Sequence, residues 1–388
     1  MIDEWIQEWA TAVAADYENL GGLLNKNGKF QGHITTFSKL LLQAAMLNGD
    51  QARAAFQAWQ SVTDIDKLPF DQYQLMPVLY QNLVRECIDH PWLGRLRGIY
   101  RKTWYQHQTG YGAALKLGAA FADMGCQPIV FNGGAPAEQP AIWQPRSVIS
   151  LVVPRNYAYS ALKTAALMGY KPLQASTLVD MDDFFTWRSS ILLQADQGTT
   201  LRLCWHFLDD WPSDDVDEWI VSRAVSSTPA RQKLLSLDPT ASLFVICASG
   251  ASSLTKLVDV GQIMRQQDNI DWPWLESASK KAGTANPVPE VVSALRDILE
   301  DCIPNSMLHG FCRSFTFDSA ENTGWNGAVA IKQHREKFRQ LAAAQKIKPT
   351  LSAFCGYLKH AWETDSIWGI IRHCAVRTTA SLSRYIPW

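Results

Sequence analysis

The chain has no paired cysteines. Its eight, Cys87, Cys126, Cys204, Cys247, Cys302, Cys312, Cys355 and Cys374, come one at a time, with no C-x-x-C and no Cys/His group at zinc spacing. That argues against a zinc module or a disulfide framework and, with most of them in apolar runs, predicts buried free thiols in a reducing compartment. No apolar run reaches the ~18 residues a spanning helix needs. The opening Met1-Ile2-Asp3-Glu4 has no basic stretch, so no secretory signal is expected. Charge of either sign is also missing in bulk. With 36 basic against 37 acidic residues the net charge is −1, which gives no field to draw nucleic acid, an anionic membrane or a strongly acidic partner. No low-complexity linker separates the parts. The expectation is a cytoplasmic protein of docked units, with neither membrane nor nucleic acid as partner.

What is present is a large apolar fraction, 47% of 388 residues, enough for two or three packed units. Sixteen tryptophans are scattered from Trp5 to Trp388. They read as anchors of helix contacts; the alternative is a stacking surface for bases, sugars or a partner.

Periodicity divides the chain in three. Residues 1–127 read as helices, at 3–16, 36–47, 51–62, 72–88 and 93–124, the last broken near Gly110 or Gly112 and ended by Gly125. Residues 128–212 change pattern. A short apolar strand at 129–131 meets Gly133-Gly134, a helix follows at 135–143, and 145–154 is a strand apolar on both faces. A helix at 157–168 ends at Gly169, and a hairpin pairs 190–195 with 200–206 across Asp196-Gln197-Gly198. Residues 213–388 turn helical again, at 216–225, 240–248, 252–266, 272–282, 288–303 and from 351 onward. The fold class is α+β: a small mixed β-sheet core flanked by N- and C-terminal helical domains, predominantly helical overall.

The informative segment is Phe131-Asn132-Gly133-Gly134 followed by Val148-Ile149-Ser150-Leu151-Val152-Val153. A Gly-Gly turn lets backbone N–H groups approach a phosphate. A strand with acids at i and i+2 points both carboxylates to one face, where they can hold divalent cations. The loop and the strand are here, but the acids are not.

In order and spacing these segments resemble the uncharacterised bacterial nucleotidyltransferase family over about residues 35–305. Its Leu-Leu-Pro-Leu-Leu segment corresponds to Leu75-Met76-Pro77-Val78-Leu79, and its long helix to that carrying Tyr100-Arg101. Its Lys-Gly loop corresponds to Asn132-Gly133 and its Arg…Asp-x-Asp strand to Arg146 through Val153. Its Gly-Tyr is Gly169-Tyr170, and its acid-x-His-Trp strand is Arg202-Leu203-Cys204-Trp205. A C-terminal segment matches at 257–264. The resemblance implies a nucleotidyltransferase-like core, and it places the family's lysine at Asn132, its two strand aspartates at Val148 and Ser150, its third acid at Arg202 and its histidine at Cys204. Valine cannot ligate magnesium, a serine hydroxyl is a weak neutral ligand, and arginine brings positive charge where a cation would sit.

Two functional readings follow. In the first the chain is a degenerate member, a nucleotide-, metabolite- or peptide-binding or scaffolding subunit in a bacterial biosynthetic or modification pathway. Its old cleft is lined by Asn132, Gly133, Gly134, Arg146, Ser150 and Arg202, and no metal or cofactor is expected. Arg202 either binds a phosphate or carboxylate directly or is an exposed strand residue; Arg146 has the same split, leaning to structural pairing. In the second, Asp180, Asp182 and Asp183 replace the lost acids, and the chain is an active transferase using Mg2+ and a nucleoside triphosphate on a small molecule or peptide. Those aspartates read equally as solvated loop acids or helix caps. His206 reads as a structural histidine, with no serine or cysteine nucleophile motif and no aspartate placed to orient it. A third class, an interaction protein working through its helical ends, would take a protein or peptide partner.

Overall fold

The computed structural model describes residues 36–131, 145–173, 188–196, 198–208, 214–226, 234–249, 253–265 and 270–282, with single positions at 185, 288, 291, 292, 295, 298, 338, 353, 354 and 357. The helices expected at 3–16 and 135–143 lie outside the described residues.

The first helices are α1 (Thr36–Met46) and α2 (Gly49–Ser61). Ala52, Ala55, Phe56 and Trp59 recur at helical spacing on α2 and are its buried face. A short turn, α3 (Phe70–Tyr73), leads into α4 (Met76–Arg85), where Pro77 sits in the first turn and loses no hydrogen bond there. Asn82 of α4 is fully buried, and its amide donates to the Ala44 and Leu47 carbonyls at 2.7 and 2.9 Å. One helix thus supplies the donors that the end of another lacks.

Helix α5 (Leu93–Asp123) runs unbroken for 31 residues, about 46 Å. The expected break at Gly110 or Gly112 does not occur. Gly110 lies against the sheet, where a Cβ would come 3.2 Å from Ile149 Cγ1, and at Gly118 a Cβ would meet Leu234 Cδ2 at 2.3 Å. These two glycines admit a close approach between helix and sheet. Gly125, at φ +80°, does end the element as expected.

Seven strands form one mixed sheet, in the order β3-β4-β5-β2-β1-β7-β6. They are β1 (Ile129–Phe131), β2 (Ile149–Val152), β3 (Tyr170–Pro172), β4 (Ser190–Ala195), β5 (Thr200–Cys204), β6 (Ala224–Ser226) and β7 (Leu235–Leu237). Strand β2 is central, parallel to β5 and antiparallel to β1, while β7 adds in parallel on the other side of β1. The hairpin β4–β5 forms as its turn residues predict. Three strands were not legible. Tyr170–Pro172, Ala224–Ser226 and Leu235–Leu237 are three residues each, too short for period-two alternation to show. The helix expected over 216–225 is α7 (Asp214–Val221), and Ala224–Ser226 belongs to β6 instead.

Alternation along the strands splits the interior. Val130, Ile149, Leu151, Leu201 and Leu203 face α5 and α6 (Ala158–Leu167). Ile129, Val152 and Cys204 face the opposite layer, built by α8 (Pro239–Ala248), α9 (Leu254–Met264) and α10 (Trp272–Ala282) with the N-terminal helices. Val288, Val291, Val292, Leu295 and Ile298 are helical and buried in that same layer. The tryptophans among the described residues largely serve packing. Trp59 and Trp92 meet edge-on at 5.9 Å, and Trp219 stacks on Trp274 at 4.5 Å. Trp104 is exposed. Cys126, Cys204 and Cys247 are buried free thiols, but Cys87 is exposed. Among the described residues no helix is long and apolar enough to cross a membrane.

Candidate functional site

The central strand sets the site. Ser150 on β2 is the register partner of Arg202 on β5, and Val148 lies two residues before Ser150 on the same side of the chain. The three positions where acids were expected therefore do converge, at the end of one sheet face. Their side chains are a methyl-bearing stub, a hydroxyl and a guanidinium. Ser150 is buried, and Arg202 is half-buried.

All three line a cleft of about 430 Å³. Its remaining walls come from far apart in the sequence. Helix α3 and the start of α4 supply Phe70, Tyr73, Gln74 and Pro77, and α5 supplies Thr103 and Gln106. The approach to β2 adds Pro145, Arg146 and Ser147, and the N-terminus of α9 adds Ser253, Thr255 and Lys256. Three cations line this cleft, and no described lining residue is a carboxylate. The described lining offers a divalent cation hydroxyls and positive charge but no carboxylate.

Each cation is held differently. Arg146 forms an ion pair with Asp259 of α9, and the same guanidinium lies 3.5 Å from the Thr255 carbonyl. Burial pushes the Asp259 carboxyl up, and the Arg146 charge beside it pulls it back. The Arg146 backbone N–H donates to Nδ1 of His107 on α5 at 3.2 Å. Burial lowers the His107 pKa to about 4, so the ring is neutral and able to accept. Arg146 is thus clamped between α5 and α9, which is the structural pairing expected for it. Lys256 reaches back to the end of α8, where its ammonium donates to the Ser249 carbonyl at 3.0 Å. Arg202, in contrast, has no hydrogen-bond or ion-pair partner for its guanidinium among the described residues.

The N-terminus of α9 is built by its cap. Ser253 has extended backbone angles and accepts from the Lys256 N–H at 3.3 Å, while its hydroxyl lies 2.9 Å from that of Thr255. The positive dipole end of the helix and the hydroxyl-bearing residues Ser253 and Thr255 therefore line the cleft, while the Lys256 ammonium turns back to Ser249.

His206, expected to be without an aspartate, has one. Its Nδ1 lies 2.5 Å from Asp217 Oδ2, and the other Asp217 oxygen accepts from the Phe207 N–H at 3.0 Å. The partner escaped notice because it arrives eleven residues later on α7. Burial raises the Asp217 pKa, opposed by His206. Ligand atoms of His206, Asp214 and Asp217 lie within 4.8 Å of one another, the one such group among the described residues. All three of its members already have partners, since His206 holds Asp217 and Asp214 lies 3.6 Å from Arg155. The knot ties the exit of β5 to α7.

Of the residues singled out from sequence, Arg146, Ser150 and Arg202 meet in the cleft. Asn132, Gly133 and Gly134, and the alternative acids Asp180, Asp182 and Asp183, lie outside the described residues. Sequence reasoning missed Lys256, Ser253, Thr255, Phe70 and Tyr73. A capping serine three residues before a lysine at 253–256 was the available signal for the first three.

A family model described as an uncharacterised nucleotidyltransferase matches residues 70–299, more than half of the chain. That span takes in every described wall of the cleft. No curated protein and no solved structure matches the chain.

Proposed function

For a chain that belongs to the uncharacterised nucleotidyltransferase family, we propose a role as a binding or scaffolding subunit that has kept the cleft and given up its metal chemistry. It would be cytoplasmic and serve a biosynthetic or modification pathway. The cleft would hold an anionic ligand directly, a nucleotide, a phosphorylated metabolite or a peptide carboxylate.

One observation carries this reading: Ser150 and Arg202 stand side by side where carboxylates would bind magnesium, in a cleft with three cations among its described lining. An arginine with no described partner at that point supplies to an anion what a metal would otherwise supply, positive charge and directed donors. Nucleotidyl transfer relies on metal ions to neutralise charge developing on the phosphates, and the described lining offers no carboxylate to hold them.

The test is a transfer assay on the purified chain with nucleoside triphosphates, magnesium or manganese, and small-molecule and peptide acceptors. The reading expects no metal-dependent turnover, with ligand binding indifferent to chelator. Metal-dependent transfer that disappears in an Asp182→Asn, Asp183→Asn variant would overturn it in favour of an active enzyme with relocated acids.

A further inference from the structure

Away from the cleft, the first half of α5 is built unlike the rest of the helix. From Arg97 to Gln106 none of its residues is buried. A helix without a core-facing stripe ordinarily relies on opposite charges one turn apart. Here the helix supplies none. From Leu93 to Ala122 it carries Arg95, Arg97, Arg101, Lys102 and Lys116 and no acidic residue. Arg97 and Arg101 stand one turn apart and repel each other. Arg95 is paired with Asp66, but Arg97, Arg101 and Lys102 have no side-chain partner among the described residues.

Two exposed rings continue the same side. Arg97, Arg101, Trp104 and Tyr105 fall at i, i+4, i+7 and i+8, within about 100° of the helix circumference. All four are exposed, the rings at 43% and 68%. Arginine, tryptophan and tyrosine are the residue types that most often anchor protein interfaces. Thr103 and Gln106, which line the cleft, lie on the opposite side of the helix. The outer face is therefore separate from the cleft and does not depend on its chemistry.

Glycines give an independent sign. Gly94 and Gly98 are one turn apart on this outer side, and Gly112 falls on it further along. A Cβ at any of the three would meet nothing within 4 Å, whereas Gly110 and Gly118 make room for Ile149 and Leu234. Gly98 and Gly112 thus weaken the helix without relieving any contact inside the chain. Two glycines one turn apart do leave a strip on which the backbone of a second helix can lie close.

We infer that the outer face of α5 is a docking surface for an acidic helix of a partner protein. Carboxylates one turn apart on that helix pair with Arg97 and Arg101. The strip at Gly94 and Gly98 lets the two backbones approach, and Trp104 and Tyr105 pack on its apolar side. A second copy of this chain presents the same cations here, so a symmetric contact through this face is repulsive. A single-stranded nucleic acid takes a groove that tracks its backbone, and this face is the convex side of one helix. A membrane-surface helix needs a row of apolar side chains opposite its cations, and α5 gives that side to the cleft and the sheet.

The test is binding of defined probes to the full chain. They are an alanine-based helical peptide with glutamates one turn apart on one face, a peptide of the same composition with its glutamates spread around the helix, a thymidine oligonucleotide and phosphatidylserine vesicles. The first peptide should bind most tightly. An Arg97→Gln, Arg101→Gln variant should weaken it about tenfold or more, the range for hydrogen bonds to charged groups. Gly98→Leu should raise the melting temperature, because the position is open and leucine is the better helix former, and yet weaken the peptide by filling the strip. Equal affinity for the two peptides overturns the helix-on-helix contact, and preference for the oligonucleotide or the vesicles overturns the partner class. Absence of peptide binding by the folded chain, as when the chain's own acidic residues already hold the face, overturns the inference outright. None of these results bears on the metal-free reading of the cleft.

Discussion

Ser150 and Arg202 are register partners on two adjacent parallel strands, and both open into the same cleft. The resemblance assigns an acid to each of these positions and a third to Val148, two residues before Ser150. A single lost carboxylate could leave a weakened metal site. On the proposed reading, a serine, an arginine and a valine in the same small space instead reverse the sign of the described lining.

That reversal is open to being undone. Replacing Ser150 and Arg202 together by aspartate, with Val148→Asp added, should create a magnesium site at these three positions. Thermal denaturation reads it out. The variant is expected to be destabilised in chelator, since it buries like charges, and to regain melting temperature as magnesium is added. The native chain should show no such magnesium dependence.

The pair Arg146–Asp259 links the strand motif to the C-terminal segment, 113 residues apart. Each side chain keeps 20% of its surface exposed. Asp259→Leu alone should cost about 3 kcal/mol, because it leaves a largely buried guanidinium without its counter-charge. An Arg146→Met, Asp259→Leu double variant should recover most of that loss. Urea unfolding of the singles and the double measures the coupling.

His107 predicts a pH dependence. Its pKa is about 6.5 when exposed and about 4 in the fold, lowered by burial. The unfolded chain therefore binds the extra proton first as pH falls. The stability held above pH 6.5 is lost progressively on acidification and is gone below about 4, a total of roughly 3 kcal/mol from this residue. A His107→Gln variant should flatten that part of the stability profile, measured as unfolding free energy against pH.

The glycines of α5 separate packing from propensity. At Gly118 a Cβ would collide with buried Leu234, so Gly118→Ala should destabilise by about 1–3 kcal/mol despite its better helix propensity. At Gly112 nothing lies within 4 Å of a Cβ, so Gly112→Ala should stabilise by about 0.5–1 kcal/mol. Melting temperatures of the two variants should move in opposite directions.

What the sequence made legible depended on range. The apolar run at 149–152, the paired strands of the β4–β5 hairpin and the helical faces of α2, α4 and α5 are local patterns, and each appears where periodicity places it. Arg146, Ser150 and Arg202 were found because they occupy positions of a recognisable pattern. The residues that complete the site could not be found that way. Lys256 and Ser253 reach the cleft only because α9 docks on the sheet, and Asp259 pairs with Arg146 across most of the core. The three-residue strands β6 and β7 depend on the edge of β1 for their pairing, which no local signal announces. The glycines of α5, read as breaks, are contacts with Ile149 and Leu234 that exist only after the helix meets the sheet.

The most direct measurement is the affinity of adenosine monophosphate for the native chain and for Arg202→Gln, each in chelator and in magnesium. Direct anion binding predicts equal affinity with and without metal. It also predicts a loss of about tenfold to a hundredfold on removing the guanidinium, the range for hydrogen bonds to a charged group. Affinity that vanishes in chelator and survives Arg202→Gln would contradict it.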